Sequence, residues 1–333
     1  MQDALLAIED LEVRFRTETG EVTPVTGVDL TVASGETLAL VGESGSGKSV
    51  SSLAVMGLLP RPAGRVAAGR ILFRQRGGTV LDLARAGAAE VRRLRGSEIA
   101  MIFQEPMTSL NPVLTAGEQI AESVRLHFRF DRRAALRRAQ DMLELVEIPA
   151  AAKRLHDYPH QMSGGMRQRV MIALAMACNP RLLLADEPTT ALDVTIQAQI
   201  LLLIDRLRRE TGMGVLFITH NLGVVAEVSD RVAVMYAGRI VETGPVADLF
   251  RHPRHPYTAG LLDSLPARAV RGPDGRRVVR SIPGSLGAAA AIRDACAFSP
   301  RCARVRDACR ATVPPLETIA AGRSARCLFW REM

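Results

Sequence analysis

The residues with the clearest chemical potential lie in a glycine-rich segment. Residues 42–49 read Gly-Glu-Ser-Gly-Ser-Gly-Lys-Ser, which matches the pattern G-x-x-x-x-G-K-[ST] at Gly42, Gly47, Lys48 and Ser49. In such a loop the glycines let backbone N–H groups surround phosphate oxygens, the lysine reaches the terminal phosphates, and the serine hydroxyl is a ligand for Mg²⁺. The segment therefore predicts a phosphate site for a Mg²⁺–nucleotide, to which Ser44, Gly45 and Ser46 also contribute.

The lysine content supports this interpretation. Lysines and arginines together number 43, but only Lys48 and Lys153 are lysines. An arginine at position 48 would present a wider, forked group in place of a compact ammonium. The alternative is a glycine-rich turn with a chance lysine, which the predicted strand before the loop and the predicted helix after it disfavour.

Two adjacent carboxylates form the second candidate site. The apolar run Leu182–Ala185 is followed by Asp186 and Glu187. Beside a phosphate loop, at the carboxyl edge of a sheet, Asp186 would hold Mg²⁺ and Glu187 would polarise the attacking water. Taken alone, the pair is equally compatible with ordinary surface acids at the end of a strand.

Apolar runs and turn residues predict the elements that position these side chains. Strands alternate with helices along much of the chain, which indicates an α/β fold with a mostly parallel sheet. A mostly helical stretch between about 115 and 177 interrupts this alternation. The predicted strands are 5–15, 25–32, 37–41, 99–103, 182–185, 215–219 and 231–235, and the main predicted helices outside that stretch are 48–59 and 195–209.

Composition divides the chain into a larger and a smaller part. We expect a nucleotide-binding domain over residues 1–250, with a helical subdomain inserted at about 104–175, and a small module over residues 251–333. The module carries fifteen arginines against six acidic residues, which we interpret as a solvated surface; contact with nucleic acid or an anionic membrane is the alternative. No stretch approaches the roughly 18–20 apolar residues of a membrane span, and the acidic N-terminus predicts no secretory signal.

Further motifs make the chain similar to the ATP-binding subunits of ABC transporters. The stretch MSGGMRQR resembles the family's signature motif at Ser163, Gly164 and Gly165, although Met166 stands where glutamine is usual. The other motifs follow in the family's order over roughly residues 5–240. Gln104 resembles the Q-loop glutamine, Asp193 the D-loop aspartate, His220 the switch histidine, and Phe15 the aromatic residue that stacks on adenine.

This resemblance implies a fold and a set of roles. The fold would be a P-loop NTPase (RecA-like) core with an antiparallel β subdomain and an inserted α-helical subdomain. Glu187, His220 and Gln104 would act in ATP hydrolysis, and Ser49, Gln104 and Asp186 would bind Mg²⁺. The signature of one subunit would face the phosphate loop of a second, so that two ATP molecules lie between them.

Four of the five cysteines cluster near the C-terminus, at Cys296, Cys302, Cys309 and Cys327. Disulfides are disfavoured in the cytosol, so a metal or a cluster is the first interpretation. The spacing lacks the paired C-x₂-C arms of structural zinc, whereas four thiolates can hold an iron–sulfur cluster. Neighbouring arginines are expected to lower the thiol pKa values. Zinc and four free thiols remain alternatives.

The C-terminal segment also resembles one subfamily, the ATPase subunits of peptide (oligopeptide/dipeptide) and nickel importers. The matching stretches include HPYT at 255–258, IPG at 282–284 and PRC at 300–302. In some relatives the cysteines bind a [4Fe–4S] cluster, so the resemblance implies ATP, Mg²⁺ and that cluster as cofactors.

The same resemblance implies a function and a set of partners. The chain would hydrolyse ATP to power peptide import from the cytoplasmic face of the inner membrane. Its partners would be a second, different ATPase subunit, two transmembrane permease subunits and an extracytoplasmic substrate-binding protein. Import of nickel or another small solute is the main alternative. A soluble ATPase acting on nucleic acid is the weaker one, and no nucleic-acid partner is expected.

Overall fold

The structure, a computed structural model, describes residues 4–104, 109–190, 192–271, 277–287 and 292–333. It is a mixed α/β structure in which strands and helices alternate. The strands are β1 (Ala4–Thr17), β2 (Gly20–Ala33), β3 (Thr37–Val41), β4 (Gly64–Arg74), β5 (Val80–Asp82), β6 (Ile99–Ile102), β7 (Leu182–Asp186), β8 (Gly214–Thr219), β9 (Arg231–Tyr236), β10 (Arg239–Pro245), β11 (Val270–Arg271), β12 (Arg277–Val278), β13 (Glu317–Ala320) and β14 (Arg323–Ala325). The helices are α1 (Lys48–Met56), α2 (Ala88–Leu94), α3 (Ala116–Phe128), α4 (Arg132–Leu145), α5 (Ala151–Arg154), α6 (Gly164–Met176), α7 (Val194–Thr211), α8 (Leu222–Val228), α9 (Val246–Arg251), α10 (Pro256–Asp263) and α11 (Asp307–Ala311).

The described chain forms two compact units. The first comprises Met1–Ala7, Thr31–Glu36 and Leu72–Phe217, and the second comprises Ile8–Leu30, Thr37–Ile71 and Ile218–Met333. The division into domains at residues 1–250 and 251–333 is predicted from composition, and it remains a prediction. Its helical insert and its C-terminal module include positions 105–108, 272–276 and 288–291, which lie outside the described residues.

In the first unit, two parallel strands and a set of helices provide the framework. Strand β6 lies parallel to β7 with Ile99 opposite Leu182 and Ile102 opposite Ala185, and β8 is the other neighbour of β7. All five residues of β7 are buried, as the continuous apolar run predicts. Helices α3 and α4 pack against each other and against α6, within the stretch predicted to be helical.

In the second unit, the strand order is β13–β14–β10–β9–β3. Strand β3 is fully buried and parallel to β9, whereas β10 is antiparallel to both β9 and β14. Helix α1 follows β3 after the glycine-rich loop. It ends at Met56, three residues earlier than predicted, because Gly57 adopts the left-handed conformation (φ 61°) that closes a helix.

An aromatic cluster forms the centre of the second unit's core. The rings of Tyr236 and Tyr257 lie 4.5 Å apart, and Phe298 lies 5.2 Å from the first and 5.4 Å from the second. All three side chains are at least 96% buried, within a larger group of aliphatic residues from β3, β9 and the helices after β10. The segment that follows β10 therefore contributes to the same core as the strands.

Candidate functional site

The glycine-rich loop between β3 and α1 has the backbone that phosphate binding requires. Gly42, Gly45 and Gly47 have φ values of 156°, 80° and 107°, which side chains other than glycine rarely adopt. A Cβ on Gly42 would lie 2.2 Å from the carbonyl oxygen of Met235, and one on Gly47 would lie 2.4 Å from that of Pro24. Only glycine therefore fits at either position.

The polar side chains of this loop are arranged to receive an anion. Lys48 is 5% exposed, and its ammonium group donates to the carbonyl oxygens of Gly42 at 2.8 Å and Glu43 at 2.9 Å. The hydroxyl of Ser46 is fully buried and has no hydrogen-bond partner among the described residues. A buried polar atom without a partner is costly, and a phosphate oxygen would satisfy it. Ser44 is exposed and Ser49 half-buried at the first turn of α1, so the loop fits a Mg²⁺–nucleotide phosphate chain.

The ends of β6 and β7 bring the predicted glutamine and glutamate together. Because Ile102 lies opposite Ala185, the residues two positions further on, Gln104 and Glu187, leave the sheet side by side. The Gln104 Nε2 donates to the Glu187 Oε2 at 3.3 Å. Asp186 is the last residue of β7 and is 5% exposed.

Glu187 is held in an unusual conformation. Its φ of 47° lies in the left-handed region, which is uncommon for residues other than glycine. The hydroxyl of Thr190 donates to the Glu187 Oε2 at 2.9 Å. Strain of this kind persists where surrounding contacts enforce it, often at functional sites. Thr190 is not among the site residues predicted from the sequence, although it lies three residues after Glu187 in the same stretch.

The signature residues lie at the start of α6. Ser163 is the N-cap residue, and its Oγ accepts from the Met166 N–H at 3.3 Å, so Met166 contributes its backbone rather than its side chain. Gly165 packs closely against α7, because a Cβ there would lie 2.9 Å from the Cγ2 of Ile196. Gly164 is exposed.

Asp193 caps the neighbouring helix. Its carboxylate accepts from the Ile196 N–H at 3.0 Å at the start of α7. The structure thus brings the signature residues and Asp193 together in the first unit through the contact between Gly165 and Ile196.

The remaining two predicted residues lie in the second unit. His220 is exposed and directly follows β8, ahead of the N-cap residue Asn221 of α8. Phe15 is half-buried on β1, and its ring covers Gly64, where a Cβ would lie 2.7 Å from the ring. Contact between the Phe15 ring and Gly64 is compatible with either a core position or a stacking surface.

The four C-terminal cysteines line one cavity of about 310 Å³, together with His255, Phe329 and neighbouring residues. The prediction that Cys296, Cys302, Cys309 and Cys327 hold an iron–sulfur cluster is nevertheless wrong. In the part of the chain that the structure describes, which includes all four, no group of three or more His, Cys, Asp or Glu side chains could hold a metal ion. That finding does not support the zinc alternative either, and the four cysteines form no disulfide.

Burial also disfavours the thiolate form of three of these cysteines. Burial raises the pKa of Cys296 to about 11 and also raises the pKa of Cys302 and of Cys327, whereas a metal ligand must be a thiolate. The predicted lowering by arginines fails, because burial outweighs the effect of Arg304 on the Cys302 pKa. Arg326 donates instead to the backbone oxygens of Ile240 and Pro314.

No helix within the described ranges has both the length and the apolar content needed to cross a bilayer.

Two protein families match the chain. Residues 25–190 match the family described as "ABC transporter", and residues 241–309 match "Oligopeptide/dipeptide transporter, C-terminal region". A relative from Brucella abortus, named a peptide import ATP-binding protein, is 54% identical over 331 residues, which cover 99% of this chain and 98% of that protein. The glutathione import ATP-binding protein GsiA of Escherichia coli is 55% identical over 271 residues, which are 81% of this chain but 44% of GsiA.

Solved structures are similar as well. The ATP-binding cassette MJ0796, in a dimeric state bound to ADP and phosphate, matches with a TM-score of 0.64 and 26% identity, covering 72% of this chain and 98% of that one. CbiO1 from Clostridium perfringens, part of an ABC transporter complex, matches with a TM-score of 0.62 and 25% identity, over 75% of this chain and 91% of that one. These matches confirm the predicted α/β fold of the P-loop NTPase type.

Proposed function

Because the chain belongs to the family of ABC transporter ATP-binding proteins, we propose that it hydrolyses ATP to drive the import of peptides. The main support for this proposal is the relative from Brucella abortus, because it is named for peptide import and aligns with the chain almost end to end. The match of residues 241–309 to the C-terminal region of oligopeptide/dipeptide transporters supports the same substrate class.

We assign the binding of ATP phosphates to the glycine-rich loop. Its N–H groups and the Lys48 ammonium would hold the phosphate chain, and the Ser46 hydroxyl would gain the partner that it lacks among the described residues. Mg²⁺ neutralises charge on the terminal phosphates during transfer. Ser49, Asp186 and Gln104 are the residues proposed to hold it, and Phe15 is proposed to stack on the adenine.

Glu187 is the proposed general base. Its carboxylate would accept the proton of the attacking water, while Gln104 and Thr190 hold the carboxylate in position. His220 is proposed to donate a hydrogen bond to the terminal phosphate. Its exposure at the end of β8 is consistent with a residue that acts only when substrate is bound.

The proposed active unit is a dimer. Ser163, Gly164 and Gly165 would donate to the terminal phosphate of an ATP held by a second subunit, and Asp193 would lie near the same interface. Ser163 and Gly164 are exposed, as this role requires. We propose a second, different ATPase chain as the partner.

The proposed complex also contains two transmembrane permease subunits and an extracytoplasmic substrate-binding protein. In that complex the chain would lie at the cytoplasmic face of the inner membrane, and the permease subunits would provide the membrane spans. The nickel and nucleic-acid alternatives are not favoured, since the relatives described above carry names of peptide or glutathione import.

Uptake by cells tests this function. Cells that lack the chain would be complemented with the wild-type chain or with Glu187→Gln, and the uptake of radiolabelled dipeptides, oligopeptides and nickel would be measured. We expect the wild-type chain, but not Glu187→Gln, to restore peptide uptake. Restoration of nickel uptake without peptide uptake would refute the proposed substrate class, and equal restoration by Glu187→Gln would refute the role of Glu187.

A further inference from the structure

The segment that follows β10 contacts the glycine-rich loop directly, within the second unit. The backbone N–H of Glu43 donates to the Tyr257 hydroxyl at 2.9 Å. The Arg301 Nη1 donates to the Glu43 Oε2, also at 2.9 Å. A Cβ on Gly45 would lie 3.6 Å from the Cδ2 of Leu286, so this side chain packs over the exposed turn of the loop.

Arg301 is fixed by several neighbours. Its side chain is 6% exposed, its Nε donates to the Pro283 carbonyl at 2.8 Å, and its Nη1 also lies 3.3 Å from the Tyr236 hydroxyl. Burial alone would lower the pKa of Arg301, but the hydrogen bonds to Glu43 and Tyr236 raise it. The guanidinium therefore stays charged, and its hydrogen bonds to Pro283 and Tyr236 hold it beside the Glu43 carboxylate.

Tyr257 is likewise held by several contacts. It is fully buried in the aromatic cluster of Tyr236, Tyr257 and Phe298. It lies in the first turn of α10, whose N-cap His255 accepts from the Tyr257 N–H through Nδ1 at 3.1 Å. The buried Glu242 carboxylate in turn accepts from the His255 N–H at 3.0 Å. Tyr257, whose hydroxyl accepts from the loop, is thus connected to β10 through His255 and Glu242.

Glu43 is the point at which these contacts reach the phosphate site. Its N–H is bound by Tyr257, its side chain by Arg301, and its carbonyl oxygen accepts from the Lys48 ammonium at 2.9 Å. A loop with three glycines at positive φ loses much conformational entropy when it becomes ordered. Contacts that hold it in the binding conformation beforehand reduce that cost at the moment of binding.

We propose that Arg301 and Tyr257 are positioning residues of the phosphate loop, so that the segment following β10 helps to set the affinity for ATP. The proposal rests on the assignment of the loop as the ATP phosphate site. Both residues lie in stretches that resemble the importer subfamily, HPYT at 255–258 and PRC at 300–302. Their effect passes through Glu43, and neither residue is required to touch the nucleotide.

The test measures the Kd of a fluorescent ATP analogue with Mg²⁺ on the full chain, and the KM and kcat for ATP in the assembled complex. For Arg301→Ala we expect Kd and KM to rise about tenfold, the effect of one lost hydrogen bond between charged groups. The kcat at saturating ATP should stay within about twofold, because the loss precedes hydrolysis. Tyr257→Phe, which removes only the hydroxyl, should raise Kd by about three- to tenfold.

Two further variants separate positioning from simple electrostatics. If only charge mattered, Glu43→Gln would remove a negative charge and tighten the binding of the anionic nucleotide. The positioning role predicts the opposite, a weaker affinity for the nucleotide in Glu43→Gln. In a Glu43→Ala background, Arg301→Ala should have little additional effect, because the shared contact is already lost. Arg304→Ala is the matched control. Arg304 belongs to the same segment as Arg301, but it donates to the Glu332 carbonyl rather than to Glu43.

The outcomes distinguish the inference from the function on which it rests. If Lys48→Ala leaves the affinity for the analogue unchanged, the assignment of the loop fails. If Lys48→Ala abolishes binding while Arg301→Ala and Tyr257→Phe match the wild-type Kd, only the positioning role is refuted. A lowered Tm with unchanged Kd and KM would likewise refute it, because that result describes two residues that only stabilise the fold.

Discussion

The Gln104 amide donates to the Glu187 carboxylate across the ends of two parallel strands, at 3.3 Å. Glu187 also accepts from Thr190, so its carboxylate is oriented by two donors while its backbone remains in the left-handed region. These contacts would orient one lone pair toward an attacking water. They are the basis for treating Glu187 as a base rather than as a surface acid.

Glu187→Gln should keep the affinity for ATP and slow hydrolysis by about 10²–10⁴, the usual effect of losing a general base. The amide has the same size and its oxygen still accepts from Thr190, so the local structure should persist. ATP binding and steady-state hydrolysis in the complex measure the two quantities. Glu144→Gln, which changes an exposed carboxylate on α4, is the control, and wild-type turnover in Glu187→Gln would contradict the assignment.

The chain offers a matched pair of lysines for testing the phosphate loop. Lys48→Ala should raise the Kd for ATP by about 10- to 100-fold, because it removes hydrogen bonds between charged groups. Lys48→Arg should not restore affinity, since the buried ammonium fits between the Gly42 and Glu43 carbonyls and a forked guanidinium is wider. Lys153→Ala, at an exposed position, should bind as the wild type does. Equal losses in Lys48→Ala and Lys153→Ala, with Lys48→Arg binding as the wild type does, would indicate an unspecific effect of charge.

Ser163 has one observed role and one proposed role, which substitution can separate. As the N-cap of α6, its hydroxyl stabilises the helix, and Ser163→Ala should lower the free energy of unfolding by about 1 kcal/mol. Ser163→Asp should keep that stability, because aspartate also caps helices well, but its charge would repel the phosphate of the partner's ATP. Thermal unfolding and ATP hydrolysis by the complex measure the two effects. A stable Ser163→Asp variant with full activity would contradict the proposed contact.

His255 predicts a dependence of stability on pH. Burial lowers its pKa from 6.5 to about 3, so the folded protein keeps the imidazole neutral where the unfolded chain takes up a proton. The free energy of unfolding should therefore fall as the pH drops from about 6.5 towards 3, by up to about 1.4 kcal/mol per pH unit from this residue. Urea titrations at several pH values measure the slope.

His255→Asn provides the comparison for that slope. Asparagine can still accept from the Tyr257 N–H at the N-cap, but it does not titrate in this range. The variant should be less stable at pH 7, because a smaller side chain leaves a gap, yet its stability should depend less on pH. Parallel slopes for both proteins would show that other groups cause the acid sensitivity.

The local motifs were predictable because each is contained in a few consecutive residues. The loop at 42–49 and the strand ending at Asp186 have the predicted positions, and β3 has the predicted bounds. Errors arose at the ends of elements, as at α1, where the local conformation of Gly57 decides where the helix stops. Strands with weaker apolar patterns, such as β4 and β10, were not predicted at all.

What the sequence could not predict depends on contacts between distant positions. Glu43 and Arg301 are 258 positions apart, and nothing in the stretch around either residue indicates that the two side chains meet. The error about the cysteines has the same origin. Four clustered cysteines indicated an iron–sulfur cluster, but burial, which only the folded chain determines, disfavours the thiolate form of three of them.

The pairing of β10 with β14 bears on how such a chain could be shortened or exchanged. Thr243 lies opposite Ser324, and the Arg326 N–H donates to the Val241 carbonyl at 2.8 Å, so residues near position 325 cover one edge of β10. A gene truncated after position 250 would leave that edge open, and open edges promote aggregation. The final 83 residues are therefore a poor unit for exchange between proteins, because a chain without them would have to cover the edge of β10 by other means.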